Sequence, residues 1–366
     1  MNKFWYYLFM LLASTIGCKK EQTDTSTEAT IELGTRNPVL RPFSRMSIWN
    51  MPIGDEAIYE PANLAPAGNV GADVVHVILL SESDPKYPVL DCPTFGPGRC
   101  SGTTDLGYTL RFPADKIIAD AGNSEYGLTP NANYALIMPD QLNVLQGSKI
   151  ARCEIDGPIY LPDWTRFPDN RQLEDLKGSE TKAKLGGQGA SGMSALGGTI
   201  RKGELTNDEP IRHVLKVNPW AEKYLHYSTE VPGYKFPAKS ADGYAAQVYN
   251  KSANPNLVMG TLLALPTDLT PESLNLTTKA GEKLFYALQH YGVYFTEDAA
   301  YDTWDLIVEE AVVEEFVNVY GFSLSSTQWR TEVNKLMVAL EIITNNAPNS
   351  IGGGGVPIAP LAADFE

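Results

Sequence analysis

The sequence predicts an α+β fold, mainly β, in which an antiparallel β-sandwich or jelly-roll-like core is followed by C-terminal helices. Short β-branched and aromatic runs separated by turn residues fill the first half of the chain. The 366 residues include 31 glycines and 25 prolines, which supply many turns. Amphipathic helix patterns appear only toward the C-terminus. Strands first and helices later is the order typical of an α+β domain.

The N-terminus is predicted to carry an export signal. Residues 1–17 combine an early lysine, an apolar core and a stretch of small residues, the pattern of a secretory signal. The pair Gly17-Cys18 resembles the lipobox of bacterial lipoproteins, which implies that Cys18 becomes the lipidated first residue of the mature chain. The alternative is an ordinary signal peptide with an incidental cysteine.

Two further segments follow from composition. Residues 18–36 are polar and contain no aromatic side chain, so we expect a flexible tether there. Residues 37–366 are expected to form a single β-rich globular domain. With the lipid as the only contact with a membrane, the expected location is the cell envelope, on the outer-membrane, periplasmic or cell-surface side.

The β-strands are predicted from short runs bounded by turn residues. Such runs occur at residues 74–80, 108–112, 134–138, 142–145, 149–155, 211–217 and 293–295. Apolar residues at helical spacing predict helices at 278–290, 303–320 and 327–342. Residues 185–203 are rich in glycine, alanine and serine, and 191–200 are predicted to form a short helix packed closely against a neighbouring strand. Contact of this segment with a ligand is the alternative.

The charge balance excludes one class of partner. The chain carries 29 Lys and Arg against 44 Asp and Glu, a formal net charge of −15. A surface this acidic repels a phosphate backbone, so nucleic-acid binding is not expected. A neutral or cationic ligand is easier to accept. The oligomeric state is left open.

The four cysteines predict one disulfide. With Cys18 lipidated, Cys92, Cys100 and Cys153 remain. Cys92 and Cys100 bracket a loop rich in proline and glycine, so they are predicted to pair in an exported protein. Cys153 is expected to be a buried free thiol. No Cys-x2-Cys pair or spaced histidine pair exists, and no metal site or cofactor is predicted.

Several segments carry a resemblance. In chain order they are P-F-S-R-M-S-I-W-N-M-P-I at 42–53, G-A-S-G-M-S-A-L-G-G-T-I-R-K-G-E-L at 189–205, I-R-H-V-L-K-V at 211–217, F-P-A-K-S-A-D-G at 236–243 and A-L-Q-H-Y-G-V-Y at 287–294. Together they resemble a widespread group of exported, largely uncharacterised bacterial and fungal proteins. The resemblance implies a strand-rich exported domain, with an acidic residue after the Tyr-Gly pair that Glu297 or Asp298 matches. It implies no catalytic residue.

Carboxylates in these segments are the candidate catalytic residues. Glu204, Asp242, Glu297 and Asp298 lie within or beside the segments of the resemblance. Two carboxylates are what glycoside hydrolysis needs, with a buried acid of raised pKa as the proton donor. The sequence therefore favours an exported, lipid-anchored carbohydrate-active enzyme, a glycoside hydrolase that acts on a polysaccharide or oligosaccharide.

Three other functions stay open. A polysaccharide lyase would use a His/Tyr pair, His213 or His226 with Tyr227 or Tyr291, and a cation such as Arg201 to neutralise a uronate. A non-catalytic glycan-binding lipoprotein would present a flat aromatic platform without paired carboxylates. A structural envelope protein would have no pocket. A serine hydrolase is not favoured, since no G-x-S-x-G elbow occurs.

Aromatic residues in loops are candidates for sugar binding. Trp49, Trp164 and Trp220 lie beside proline, asparagine or aspartate, where exposure is expected, and Arg201 and Tyr291 complete the predicted substrate-binding set. A weaker alternative is calcium binding by Asp298, Asp302 and Asp305, although Asp302 is more simply interpreted as the cap of a following helix.

Overall fold

A ten-stranded mixed β-sheet forms the centre of the protein. The computed structural model describes Met1 and residues 29–122, 131–165, 173–179 and 186–366. The predicted signal, most of the predicted tether and the candidate lipidation residue Cys18 lie outside these ranges. Within these ranges, no helix has the length and apolar character needed to cross a bilayer.

The described residues form fifteen strands and five α-helices. The strands are β1 Thr35–Arg36, β2 Tyr59–Pro61, β3 Asn69–Leu79, β4 Lys86–Asp91, β5 Asp105–Arg111, β6 Asn133–Ile137, β7 Asn143–Gly147, β8 Ile159–Leu161, β9 Leu173–Asp175, β10 Leu215–Pro219, β11 Leu262–Ala264, β12 Val293–Phe295, β13 Thr303–Glu309, β14 Glu341–Ile343 and β15 Asp364–Phe365. The helices are α1 Ala221–Tyr224, α2 Ala245–Val248, α3 Lys279–His290, α4 Glu310–Tyr320 and α5 Thr327–Val338.

The order of strands in the main sheet is β2-β14-β11-β12-β10-β13-β3-β6-β7-β9. The pairs β10–β12, β13–β3 and β3–β6 are parallel, and the other described pairs are antiparallel. A second sheet has the order β5-β4-β8, and β1 pairs with β15 in a third. The α+β class is therefore confirmed. The antiparallel sandwich or jelly-roll is not confirmed, because the main sheet is mixed.

Both faces of the main sheet are covered. On one face, Val74 of β3 belongs to the same core as Phe316 of α4 and Trp329 of α5, whose rings lie 4.9 Å apart. Ile78 lies four residues further along β3, on the same face, and packs with the second sheet. On the opposite face, Ala195 packs against Val75 and Ile307. Strands buried on both faces suit the apolar runs seen in the sequence.

Most of the predicted strands in the first half are confirmed. The predictions at 74–80, 108–112, 134–138 and 142–145 correspond to β3, β5, β6 and β7. The prediction at 149–155 is wrong, since Ala151 and Arg152 make only isolated bridges. Helix α3 and strand β12 lie where predicted. Thr278 caps α3, and its side chain accepts a hydrogen bond from the backbone N of Gly281 at 2.9 Å.

Two predicted helices begin or end as strands. The segment 303–320 is β13 as far as Glu309, and α4 begins only at Glu310. Residues 303–308 are buried on both faces at the centre of the sheet, where β-branched residues pack well. The segment 327–342 likewise changes from α5 to β14. The spacing of apolar residues alone could not distinguish the helical period from the strand period in these segments.

The small-residue segment, residues 186–203, is not helical. It forms turns and bridges and lies against the main sheet, so the predicted close packing is confirmed and the predicted helix at 191–200 is wrong. Lys216 of β10 is fully buried, and its Nζ donates to the carbonyl oxygens of Ser194 and Ala195 at 2.7 and 2.8 Å. A buried ammonium is stabilised by such acceptors, so it fixes this segment on the sheet.

The predicted cysteine pairing is wrong. The disulfide joins Cys100 to Cys153, whose Cα atoms lie 6.3 Å apart, and Cys92 is the buried free thiol. Cys92 follows β4 and its backbone N donates to Leu161, which turns its side chain inward. Burial raises the pKa of the Cys92 thiol to about 11. The prediction paired Cys92 with Cys100 because the two are close in sequence. The fold instead brings Cys153 next to Cys100, although 53 positions separate them in the chain.

We expect Gly198→Ala to destabilise the protein. The φ of Gly198 is +71°, and an added Cβ would lie 2.6 Å from Cζ3 of the buried Trp49. Overpacking of this kind and a left-handed alanine together should lower the free energy of unfolding by about 2 kcal/mol or more, measured by urea unfolding. Gly243→Ala is the control, because no atom lies within 4 Å of its added Cβ. Equal urea midpoints for the two variants would contradict the packing described for Trp49.

Candidate functional site

A cavity of about 500 Å³ lies where β10 and β12 end and β3 and β13 begin. Five carboxyl groups line it: Asp73, Asp242, Glu297, Asp298 and Asp305. The remaining described lining residues are Phe95, Asn131, Gly189, Asn218, Tyr244, Ala299, Ala300 and Tyr301. No lysine, arginine or histidine occurs among these described lining residues.

The register of the sheet brings two of the carboxyl groups together. Asp305 of β13 is paired with Gly71 of β3 and with Asn218 of β10. Paired residues of neighbouring strands share a face, and Asp73 lies two residues after Gly71 on that same face. A Cβ at Gly71 would lie 2.4 Å from Oδ1 of Asp305, so glycine leaves the room that this carboxyl occupies. Asn218 Nδ2 donates to Asp73 Oδ2 at 2.8 Å and holds it in place.

Glu297 enters the cavity directly after β12. Its side chain accepts hydrogen bonds from the backbone N of Gly189 at 3.0 Å and from Asn133 Nδ2 at 3.1 Å. Only 7% of its surface is exposed. A Cβ on Gly189 would lie 2.9 Å from Oε1 of Glu297. The small-residue segment therefore positions Glu297 through a backbone contact that a larger residue would obstruct.

Asp298 and Asp242 each accept a hydrogen bond from a tyrosine hydroxyl. Asp298 Oδ1 accepts a hydrogen bond from the backbone N of Ala221 at 2.7 Å, and its Oδ2 accepts one from the Tyr244 hydroxyl at 3.1 Å. Asp242 accepts a hydrogen bond from the Tyr249 hydroxyl. The tyrosine hydroxyls thus fix the orientation of both carboxyl groups.

Burial and mutual repulsion raise the pKa values of this cluster. Burial, with the neighbouring Asp73, raises the pKa of Glu297 to about 8 and that of Asp305 to about 7. Burial raises the pKa of Asp298 to about 6, against the hydrogen bond from Ala221, and it also raises the pKa of Asp242. At neutral pH a protonated Glu297 therefore lies in the same cavity as an ionised Asp298.

Three exposed aromatic side chains line the same cavity. Phe95, Tyr244 and Tyr301 have 45%, 47% and 53% of their surface exposed. None of the three belongs to the substrate-binding set predicted from the sequence. The available signals were the turn-forming neighbours Gly96 and Pro97 after Phe95, and the acidic stretch around Tyr301.

The structure brings three of the four predicted carboxylates together and leaves one apart. Asp242, Glu297 and Asp298 line the cavity, whereas Glu204 does not. Glu204 accepts hydrogen bonds from the backbone N of Arg201 at 2.7 Å and from His213 Nε2 at 3.0 Å. Although burial opposes it, the contacts with His213 and Arg201 lower the pKa of Glu204. Asp73 and Asp305 were missed as members of the cluster, because only the sheet register places them there.

The predicted histidine, arginine and tyrosine residues lie outside the cavity. His213 is held by Glu204 and by the carbonyl oxygen of Val214. Arg201 is buried and pairs with Glu309 at 2.9 Å. Tyr291 is buried, and its hydroxyl donates to the carbonyl oxygen of Pro360. Each of the three therefore serves the packing of the domain in this structure.

Trp49 and Trp220 are not among the described residues that line the cavity. The expected exposure of Trp49 is wrong: 1% of its surface is exposed, and it packs edge-on against Tyr294 with ring centroids 5.8 Å apart. Trp220 is partly buried, with the ammonium of Lys251 5.5 Å from its ring centroid. Trp164 belongs to a short 3-10 turn, Asp163–Thr165, and its side chain lies outside the described residues.

The calcium alternative finds no support in the placement of Asp302. Its carboxyl group accepts hydrogen bonds from Lys223 Nζ at 2.9 Å and from the Tyr224 hydroxyl at 3.2 Å, away from the cavity. It also caps no helix, since strand β13 follows it. Across the described ranges, no group of three or more histidine, cysteine, aspartate or glutamate side chains is arranged to hold a metal ion.

Comparisons with protein-family models, with curated proteins and with solved structures found no match. The function of the candidate site must therefore be inferred from the residues and the geometry of the site itself.

The stability of the protein is expected to fall as the pH rises from about 4.5 to about 8. In this interval the folded chain keeps protons on Glu297, Asp305 and Asp298 that the unfolded chain has lost, because their pKa values are raised. For each such group, every unit by which the pH rises in this interval lowers the free energy of unfolding by up to about 1.4 kcal/mol. Urea unfolding at several pH values measures the slope. Glu310, whose pKa is lowered to about 2, titrates below this interval.

Glu297→Gln should make this decline shallower, because the variant has no carboxyl group to ionise at that position. Glu314→Gln is the matched control, since Glu314 is exposed on α4. A decline as steep in Glu297→Gln as in the control would contradict the raised pKa of Glu297.

Proposed function

We propose that this protein is a glycoside hydrolase that cleaves a polysaccharide, with Glu297 as the proton donor. The main observation that supports the proposal is that two carboxyl groups in one cavity lie in different environments. Glu297 has a pKa raised to about 8, and Asp298 beside it in sequence has one raised only to about 6. Separated pKa values of two carboxyl groups assign one as acid and the other as base or nucleophile.

The chemistry follows from these protonation states. Protonated Glu297 donates its proton to the glycosidic oxygen as the bond to the leaving sugar breaks. An ionised carboxylate on the other side of the sugar ring attacks the anomeric carbon or activates a water molecule that does so. Asp298 and Asp242 are the two candidates for that role, and the hydroxyls of Tyr244 and Tyr249 orient them.

Asp73 has a separate role in this scheme as a positioning residue. It lies close enough to Glu297 and Asp305 to raise both of their pKa values, and Asn218 holds it by a hydrogen bond. A negative charge at this position opposes ionisation of Glu297. It therefore helps to keep the proposed acid protonated at neutral pH.

The charge of the cavity favours a neutral or cationic glycan. A lyase that acts on a uronate needs a cation to neutralise the substrate carboxylate, and the described lining residues include five carboxyl groups and no basic side chain. The His/Tyr alternative is weakened further because His213 is engaged by Glu204. Hydrolysis therefore accounts for this cavity better than elimination does.

The two non-enzymatic alternatives account for less of the structure. A binding module needs aromatic surfaces but has no use for buried carboxyl groups of raised pKa, which cost stability. A structural envelope protein needs no cavity. The combination of a carboxyl cluster with exposed aromatic side chains at one cavity favours the enzyme.

The proposed place of action is the cell envelope, with Cys18 lipidated. The disulfide between Cys100 and Cys153 supports this part of the proposal, because such bonds persist in oxidising compartments outside the cytoplasm.

The proposed function is tested by incubating the protein with a panel of neutral, cationic and uronate-containing polysaccharides. We expect new reducing ends from a neutral or cationic glycan, without the absorbance of unsaturated uronates. A rise in that absorbance would show elimination instead, and retention of a glycan without products would leave only the binding module.

Glu297→Gln should lower kcat by about 10²- to 10⁴-fold, since an amide cannot donate the proton. Asp298→Asn and Asp242→Asn should identify the second carboxylate by which of them also abolishes turnover. Glu204→Gln is the control: its carboxyl group lies outside the cavity, so the folded variant should keep its kcat. Loss of activity in Glu204→Gln with Glu297→Gln unaffected would reverse the assignment.

Asp73→Asn should shift the pH dependence of kcat/KM. Removing the neighbouring charge lowers the pKa of Glu297, so the decline of activity on the alkaline side should move to lower pH. The pH profile of the variant, compared with that of wild type, measures this shift. An unchanged alkaline limb would show that Asp73 does not set the pKa of the proton donor.

A further inference from the structure

We propose that Phe95 is a specificity-determining residue whose ring stacks on a sugar unit of the polymer in the cavity. The proposal rests on the proposed function, since it names the contact by which the same site holds its substrate. Phe95 lines the cavity with 45% of its surface exposed. An exposed phenylalanine has no hydrogen bond to offer, so its use at a cavity wall is apolar contact.

The loop that carries Phe95 is fixed by its own backbone contacts. The buried guanidinium of Arg99 donates two hydrogen bonds to the carbonyl oxygen of Phe95, at 2.6 and 3.1 Å. Asp120 accepts hydrogen bonds from the backbone N of Gly98 and of Arg99, at 2.7 and 3.0 Å. These contacts fix the backbone of the loop, and a preformed loop loses less entropy when a ligand binds.

Two further contacts fix the ring and the base of the loop. The disulfide from Cys100 to Cys153 ties the end of the loop to the segment that follows β7. The ammonium of Lys149 lies 4.6 Å from the centroid of the Phe95 ring. With a cation over one face, the opposite face is the one available to a ligand, and the apolar face of a pyranose suits it.

Phe95 has a different role from Tyr244, an aromatic residue that lines the same cavity. Tyr244 donates a hydrogen bond to Asp298 and so belongs to the proposed catalytic machinery. The side chain of Phe95 has no group that could form a hydrogen bond with the carboxyl groups. It lies in the loop between β4 and β5 of the second sheet. Its contribution should therefore be to substrate binding and not to the chemical step.

The experiment compares Phe95→Ala with wild type on the polysaccharide that the wild-type protein cleaves. We expect KM to rise about tenfold, the loss of about 1.4 kcal/mol of stacking, while kcat changes less than about twofold. Phe95→Trp should restore a KM near that of wild type. Tyr286→Ala is the matched control, since Tyr286 on α3 has the same 45% exposure and does not line the cavity.

An unchanged KM in Phe95→Ala would overturn the stacking proposal and leave the hydrolase standing. If wild type cleaves no glycan, the proposed function fails, and affinity electrophoresis in gels that contain β-glucan, xylan, mannan or chitosan tests the ring separately. Retardation that is lost in Phe95→Ala but kept in Tyr286→Ala supports the proposal. Equal retardation of both variants, or no retardation of wild type by any of these glycans, overturns it.

Discussion

The repulsion between carboxyl groups held close together in one cavity is the constraint on which the site depends. Burial and the neighbouring Asp73 raise the pKa values of both Glu297 and Asp305, because the three carboxyl groups would repel one another if all were ionised. Ionising all of them in a buried place is costly, and the cluster therefore keeps protons at neutral pH. A buried acid that stays protonated is the property that a proton donor needs.

Strand pairing and hydrogen bonds hold the carboxyl groups of the cluster in place. Asp305 and Asn218 are neighbours in the register of central strands, and a strand cannot move one of them without breaking its ladder. Gly189 donates a backbone hydrogen bond to Glu297 from within a segment that Lys216 ties to the sheet. The glycines of this segment lower the stability of the chain locally, but they permit the close approach that orients the carboxyl group.

The cavity combines parts of the chain with different tasks. Strands β3 and β13 supply Asp73 and Asp305, whereas Glu297, Asp298 and Asp242 come from connecting segments after β12 and before α2. The region around the second sheet supplies the loop with Phe95. Helices α4 and α5 contribute no residue to the described lining and pack on the other face of the sheet. Catalytic and binding groups on connecting segments that a rigid scaffold positions are common in enzymes.

The sequence by itself determined the α+β class, most strands of the first half, helix α3 and the grouping of Asp242, Glu297 and Asp298 as candidates. The class, the strands and the helix follow from local periodicity, and the candidates follow from acidic residues in the segments that carry the resemblance. Only the tertiary structure decided that the sheet is mixed, that β13 is a strand, that Cys100 pairs with Cys153, and that Asp73 and Asp305 join the cluster. Strand pairing joins residues that are far apart in the chain. The local sequence pattern of a strand therefore does not specify which other strand pairs with it.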